Sequence, residues 1–75
     1  MHTKPEILVA FGEIVRAFRK AKGFSQEELA DQSGLHRTYI GMIERGEKNL
    51  TLVSISKIAE ALQISMSELF ANLSQ

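Results

Sequence analysis

Apolar residues recur along this chain at the three- and four-residue spacing of amphipathic helices. Five stretches carry this pattern, and residues that start or stop a helix bound them. The predicted helices cover residues 5–22, 26–33, 36–45, 52–62 and 66–73. A chain of 75 residues is long enough for one domain and lies near the lower limit for a self-sufficient core. The pattern therefore predicts an all-α fold, a compact five-helix domain spanning residues 1–75.

The first helix is predicted by an apolar stripe with a start pattern before it and a stop after it. The stripe repeats at intervals of four, three and four residues and is widened toward the core by two neighbours: Ile7, Phe11, Ile14 and Phe18, with Leu8 and Val15. Thr3 with Glu6 forms a capping pattern, and Pro5 suits a first turn. Gly23 is the expected stop.

Two short helical patterns meet in the stretch from Ser25 to Arg45. Ser25 is followed three residues later by Glu28, so that each side chain can bond the other residue's backbone amide. Gly34 ends the first helix because glycine adopts the left-handed conformation of a tight helix stop without steric cost. The second helix begins near His36. A short turn therefore joins the two helices.

The spacing in this stretch matches a helix-turn-helix unit. Counted from Gln26 as position 1, the expected residue types occupy positions 4, 5, 9, 10, 15 and 18: Leu29, Ala30, Gly34, Leu35, Ile40 and Ile43. Ser33 is a weaker match, because a small or apolar residue is usual there. The other flank of the second helix is predicted to point outward with Arg37, Thr38, Gly41 and Met42, and with Arg45 at its far end. A helix with one apolar flank packed on the protein and one outward-facing flank can enter the major groove of DNA.

The C-terminal third is predicted to combine core packing with self-association. Thr51 is a plausible cap for the fourth helix, whose predicted core side carries Leu52, Ile55, Ile58, Ala59 and Leu62. Ser65 with Glu68 repeats the capping-box pattern before a last helix that is too short to be stable alone. More large apolar side chains remain than a small core readily hides, and a symmetric dimer would bury Leu50, Val53, Ile64, Met66, Leu69, Phe70 and Leu73. In the alternative, Ile64, Leu69 and Phe70 close the core of the monomer.

Composition narrows the choice of function. The chain has no cysteine and two histidines, and no acid pair, activated nucleophile or phosphate-binding loop stands at a useful spacing, so we expect neither an enzyme nor a metal site nor a cofactor. No apolar run is long enough for a membrane span and no secretion signal is present, so we expect a cytoplasmic protein. The formal net charge is zero, which argues against a non-specific nucleic-acid coat.

The positive charge lies near the N-terminus. Residues 1–22 hold five lysines or arginines and two glutamates. Four of the cations, Arg16, Arg19, Lys20 and Lys22, gather in the last two turns of the first helix, where they also favour the negative end of the helix dipole. They form either a solvated basic face or a set of phosphate contacts.

These residues resemble the lambda-repressor-like helix-turn-helix family of Cro type over roughly residues 11–70. Within that family, the runs Arg37-Thr-Tyr-Ile, Ile43-Glu-Arg-Gly and Lys48-Asn are similar to the controller proteins of bacterial restriction-modification systems. The resemblance implies a dimeric regulator that binds paired operator sites upstream of its own gene and of the endonuclease gene. Two departures are His36, where controllers usually have an acidic cap, and Gly41-Met42, where they have Ser-Gly.

The resemblance also implies a pairing between helices. In repressors of this type, the arginine at the position of Arg19 pairs with the glutamate at the position of Glu44, which ties the first helix to the recognition helix. The arginine is then expected to face a phosphate. An exposed pair of little energetic value is the alternative.

The orientation of a recognition helix assigns DNA contacts to individual residues. Residues near its N-terminus face base edges, so we predict base contacts from Arg37, Thr38 and Met42. Arg37 is the first choice for a bidentate bond to guanine. Phosphate contacts are expected from residues around that helix and at the start of the preceding one: Lys22, Ser25, Gln26, Tyr39, Arg45, Lys48 and Asn49. For Tyr39, packing of the ring on the second helix is the alternative.

Other regulators share this unit. A phage or plasmid repressor or an antitoxin-type regulator is the alternative among DNA-binding proteins, and a helical protein-interaction module is the alternative from another class. Double-stranded DNA and a second copy of the chain are the expected partners, and the small size leaves little space for a small-molecule ligand. If the protein activates transcription, the acidic residues Glu27, Glu28 and Asp31 are the surface to test for contact with RNA polymerase.

Overall fold

The structure is a computed structural model that describes residues 4–73. These residues form five helices: α1 (Glu6–Ala21), α2 (Gln26–Ser33), α3 (Arg37–Glu44), α4 (Leu52–Leu62) and α5 (Met66–Phe70). The described range contains no β-strand, which confirms the all-α prediction. None of the helices within that range is both long enough and apolar enough to cross a membrane.

The predicted ends of α2 and α4 agree with the structure, and those of α1 and α3 differ by one residue at each end. Pro5 lies just before α1 and makes no side-chain cap, and Thr3, the predicted partner of Glu6, lies outside the described residues. The prediction that the last helix reaches residue 73 was wrong, because α5 ends at Phe70. Beyond that residue the backbone tightens into three-residue turns, with the Leu73 amide donating to the Phe70 carbonyl at 2.9 Å.

One cluster of buried residues from all five helices forms the core: Phe11, Val15, Leu29, Ala30, Ile40, Ile43, Ile58, Ala59, Leu62 and Leu69. Ser33 is also buried, and its hydroxyl donates to the Ala30 carbonyl at 3.2 Å, so a polar residue is accommodated at that position. The helix-turn-helix unit therefore packs through the flank that its spacing predicted.

Two apolar residues do not lie where the sequence placed them. Leu52, a predicted core residue, is 69% exposed because it lies in the first turn of α4. Ile7 in the first turn of α1 is likewise exposed. Leu69, predicted as a dimer contact or in the alternative as a core residue of the monomer, follows the alternative: it is fully buried in the core and has no surface to offer a partner. Of the other predicted interface residues, Val53 and Phe70 are exposed, while the remaining four are half-buried: Leu50, Ile64, Met66 and Leu73.

A glycine sets the distance between α1 and α3, a feature that the sequence analysis missed. A Cβ atom added at Gly12 would lie 2.3 Å from the carbonyl oxygen of Ile43 and 2.8 Å from that of Glu44. No side chain fits in this space, so the backbone of α1 rests directly on the C-terminal end of α3. This close crossing brings Glu44 alongside the buried face of α1.

Candidate nucleic-acid interface

The first residues of α2 and one flank of α3 enclose a polar concave surface, which we call the α2–α3 groove. It is lined by Arg19, Ser25, Gln26, Glu27, Arg37, Thr38, Gly41 and Arg45. Six of these are predicted DNA-contacting residues or the predicted structural arginine, and Gly41 belongs to the flank predicted to point outward. The structure therefore brings half of the predicted DNA-contacting residues together on one surface, with Arg19 among them.

Both helices of this unit have side-chain caps at their N-termini. At α2, the Ser25 hydroxyl accepts from the Glu28 amide at 3.0 Å and the Glu28 carboxylate accepts from the Ser25 amide at 2.8 Å. Gly34 then ends α2 with φ of +74°, as its position predicted. At α3, the cap is His36, whose Nδ1 accepts from the Thr38 amide at 3.0 Å. The first turn of α3 is therefore capped by an imidazole nitrogen of His36.

Arg37 lies on the exposed flank of α3 and already has a partner. Its guanidinium donates to the carboxylate of Glu27 on α2, with the two atoms 2.6 Å apart. The side chains are 65% and 70% exposed, so water screens this pair and it contributes little to stability. Thr38 is exposed beside it. Two of the three predicted base-contacting side chains are therefore accessible, while the third, Met42, is only half-exposed.

Beneath the groove, Arg19 and Glu44 form a buried bidentate ion pair. Arg19 Nε donates to Glu44 Oε2 at 2.6 Å, and a second guanidinium nitrogen donates to Glu44 Oε1 at 3.0 Å. The third nitrogen donates to the carbonyl of Phe24 at 2.8 Å. The two side chains are only 10% and 3% exposed. The pair that the family resemblance implied is present, and it joins α1 to the end of α3.

Gln26 and Gly41 differ from their predicted arrangement. One hydrogen of the Gln26 side-chain amide is already engaged, because it donates to Glu44 Oε1 at 3.0 Å, so only the other hydrogen is left for a phosphate. Gly41 is buried rather than pointing outward, since the guanidinium of Arg45 and the side chain of Gln26 lie over it. The buried pair thus extends into a network that also connects α2 to α3.

Tyr39 makes a contact with α4 that was not among its predicted contacts. Its ring is half-buried against the core, and its hydroxyl donates to the Ser54 hydroxyl of α4 at 3.2 Å. Ser54 is in turn bonded to the Thr51 hydroxyl at 3.1 Å, and Thr51 caps α4 as predicted. The ammonium of Lys48 lies 5.8 Å from the centre of the Tyr39 ring, within reach of a cation–π contact. Tyr39 therefore links the recognition helix to the loop before α4.

Arg45 is exposed at the end of α3 and pairs with Glu47 at 3.1 Å. Lys4 approaches the same carboxylate at 3.5 Å and donates to the Arg45 carbonyl at 2.9 Å. The hydrogen bond from Arg45, together with these positive charges, lowers the pKa of the Glu47 carboxyl below its usual value. Glu47 therefore stays ionised and offsets much of the positive charge at this end of the groove.

Four predicted phosphate-contacting residues do not line the groove: Tyr39 and Lys48, described above, and Lys22 and Asn49. Lys22 donates to the side chain of Gln63 at the end of α4. Asn49 lines an apolar groove together with Leu50 and Phe70. Neither placement could be predicted from local residue patterns, because both depend on how α4 and α5 fold back on α1.

The fold and this interface define a helix-turn-helix DNA-binding protein. The sequence pattern of the helix-turn-helix family matches residues 15–69, and the chain belongs to this family. This confirms the family resemblance found in the sequence. The chain is accordingly a transcriptional regulator and not an enzyme. Within residues 4–73, no cluster of side chains is suited to hold a metal ion.

The most similar proteins include restriction-modification controllers. The control protein C.SmaI of Serratia marcescens is 47% identical over 64 residues, which are 85% of this chain and 76% of that protein. The crystal structure of the controller protein C.AhdI from Aeromonas hydrophila matches with a TM-score of 0.86 and 53% identity, over 88% of this chain and all of that one. The controller C.Esp1396I, solved as a tetramer with its natural 35-base-pair operator, matches with a TM-score of 0.86 and 38% identity, over 92% and 91% of the two chains.

Proposed function

We propose that this chain is the controller protein of a restriction-modification system. It binds operator DNA as a homodimer and regulates transcription of its own gene and of the endonuclease gene. The similarity to several control proteins supports this role. The observation that carries the proposal is the exposed flank of α3, where Arg37 and Thr38 stand beside the open N-terminus of α2.

On DNA, α3 lies in the major groove and the start of α2 lies against the backbone. Arg37 leaves Glu27 and bonds to a guanine edge, at little cost because the pair is exposed. The backbone amides at the start of α2, beside Ser25, bind a phosphate at the positive end of the helix dipole. Lys48 and Arg45 add phosphate contacts at the other end of α3. Arg37 and Thr38 therefore determine sequence, while the cations fix register.

A second copy of the chain covers an exposed apolar patch, which consists of Ile7, Leu50, Leu52, Val53 and Phe70. Ile7, Leu50 and Phe70 line one groove, and Leu52 and Val53 continue from it into the first turn of α4. Leu52 is 69% and Val53 65% exposed, which leaves large apolar surface in water in a monomer. In a symmetric dimer, the patch of each subunit is buried against the patch of the other. The two copies of α3 then reach half-sites about 34 Å apart.

If the dimer activates as well as represses, the acidic surface of α2 is available to RNA polymerase. Glu28 and Asp31 are exposed, and Glu27 becomes free when Arg37 moves to DNA. An operator placed next to a promoter would present this surface to the polymerase.

The function is tested by selecting binding sites from random duplexes with the wild-type protein and then measuring affinity for the selected duplex. We expect an inverted repeat. Arg37→Ala should weaken binding by about 1 to 3 kcal/mol and relax the preference at one base pair in each half-site. Lys48→Ala is the matched comparison. It should weaken binding to all sequences equally, and it should lower the salt dependence of the binding constant by the amount expected for about one phosphate contact.

Failure to select any sequence would contradict the proposal and favour a protein-interaction module. If Arg37→Ala and the wild type have the same base preferences at every position of the selected site, α3 is oriented differently. Selected sites upstream of neighbouring methyltransferase and endonuclease genes would support the controller role, whereas sites elsewhere would favour a phage or plasmid repressor or an antitoxin-type regulator.

A further inference from the structure

The cap of the recognition helix is a histidine that bonds through a specific ring nitrogen. His36 has the extended backbone of an N-cap residue, with φ of −72° and ψ of 144°. Its Nδ1 accepts from the backbone amide of Thr38 at 3.0 Å. Thr38 is the second residue of α3 and Arg37 the first, so the cap holds the turn that carries two of the three predicted base-contacting side chains.

This hydrogen bond requires one protonation state. An imidazole nitrogen accepts a hydrogen bond only when it carries no proton, so the neutral ring must carry its proton on Nε2. In the imidazolium form both nitrogens are donors, and Nδ1–H would then oppose the Thr38 N–H. Protonation also places a positive charge at the positive end of the α3 dipole. Acid therefore removes the cap and adds a repulsion at the same place.

The charges around His36 do not replace this cap. The same surface concavity is lined by the carboxylates of Glu27, Glu28 and Asp31 from α2 and by Arg37 from α3. Glu28 is engaged with the Ser25 amide and Glu27 with Arg37. None of these side chains accepts from the Thr38 amide, whose side-chain partner in the structure is His36.

We propose that His36 is a positioning residue for DNA recognition: its neutral imidazole fixes the first turn of α3, and loss of that form in mild acid weakens operator binding. The proposal rests on the function proposed above. Histidine changes charge between about pH 5 and 8, a range in which carboxylates and lysines ordinarily keep theirs. The effect is therefore expected from a histidine, and the chain has two, His2 and His36.

The test uses a background with His2→Asn, so that His36 is the one histidine left in the reference protein, which is called the wild type below. This reference is compared with His36→Asn and His36→Ala in the same background. Asparagine is a good N-cap whose charge does not change with pH, and alanine removes the cap. Affinity for the selected operator is measured by fluorescence anisotropy at constant ionic strength between about pH 8 and pH 5.5. Because His36 is exposed, circular dichroism should show all three proteins folded.

We expect the affinity of the wild type, relative to His36→Asn, to fall about fivefold from the upper to the lower pH, which corresponds to a typical N-cap. His36→Ala should already be about fivefold weaker at the upper pH, with no further relative loss. If the wild type instead gains affinity in acid relative to His36→Asn, the imidazolium is acting as a phosphate contact and the proposal fails. An unchanged ratio would also overturn it.

A measurement without DNA separates this proposal from the proposed function. The ¹⁵N chemical shifts of the His36 ring should show an unprotonated Nδ1 at the upper pH, and the Thr38 amide resonance should move as the ring titrates. A proton on Nδ1 at the upper pH would overturn the cap itself. If the resonances behave as expected but no operator can be selected, the function proposed above fails while the cap remains.

Discussion

At the scale of single residues, two ion pairs with the same 2.6 Å separation should differ greatly in energy because their burial differs. Arg19–Glu44 is almost fully enclosed, whereas Arg37–Glu27 is in water. We predict that Glu44→Gln lowers the free energy of unfolding by about 3 to 5 kcal/mol, because it leaves the Arg19 charge buried without an anion. Urea denaturation followed by circular dichroism measures this loss.

Glu27→Gln is the matched control, because it neutralises the acid of the exposed pair. It should change the free energy of unfolding by no more than about 1 kcal/mol. Combining Arg19→Met with Glu44→Gln should recover much of the loss from Glu44→Gln alone, since no unpaired charge then remains buried. Equal effects of the two single glutamine variants would contradict the assignment of stability to the buried pair.

The two pairs also show what a sequence can reveal at this scale. Arg19 and Glu44 are 25 residues apart, and only the family resemblance suggested that they meet. Arg37 and Glu27 are ten residues apart on different helices, so no helical spacing could have paired them. The cap by His36, in contrast, follows from its place just before the helix, although only the structure shows that Nδ1 is the ring nitrogen that accepts the hydrogen bond. Contacts within one turn can be predicted, and contacts between elements depend on packing.

At the scale of elements, two glycines inside helices should respond oppositely to alanine. Alanine favours a helix by up to about 1 kcal/mol over glycine. At Gly12 the added Cβ would meet the rigid backbone of α3 at 2.3 Å, and overpacking costs about 1 to 3 kcal/mol or more. We predict that Gly12→Ala destabilises the protein and separates α1 from α3.

At Gly41 the nearest atoms belong to side-chain ends, with the Arg45 guanidinium 3.1 Å and the Gln26 amide oxygen 3.4 Å from the added Cβ. Because Arg45 is exposed and can move, Gly41→Ala should be neutral or stabilising by up to about 1 kcal/mol. Thermal unfolding of both variants tests the contrast. A stabilised Gly12→Ala protein would mean that α1 and α3 cross at a greater distance than the structure shows.

The helix-turn-helix unit was predictable from local residue patterns, while the exposed start of α4 was not. Ser25, Glu28 and Gly34 act within their own helix and its turn, so their roles appear in the sequence. Leu52 shares a helical stripe with core residues, yet it lies in the water-exposed first turn of α4. Periodicity identifies the face of a helix, but it does not show how far neighbouring helices extend along that face. Leu52 was therefore assigned to the wrong environment.

At the scale of the whole molecule, zero net charge means that DNA affinity cannot come from a general attraction to phosphates. Under the proposed function it depends on a few contacts repeated in two subunits, so dimer formation and operator binding should be coupled. We predict that Val53→Asp, a change at an exposed position of α4, leaves the monomer folded but weakens self-association at least about tenfold. Analytical ultracentrifugation measures the association, and operator affinity should fall with it.

Ala17→Asp provides the control for added negative charge. Ala17 is an exposed residue of α1 beside a separate groove that contains Phe18 and Asn72, away from the proposed dimer patch. This variant should associate like the wild type. If Ala17→Asp dissociates the dimer and Val53→Asp does not, the subunits meet through the groove at α1. If Val53→Asp loses operator affinity while remaining dimeric, the start of α4 contacts DNA. An intact dimer with full affinity would remove the apolar patch from both roles, because a carboxylate cannot be buried there without a measurable cost.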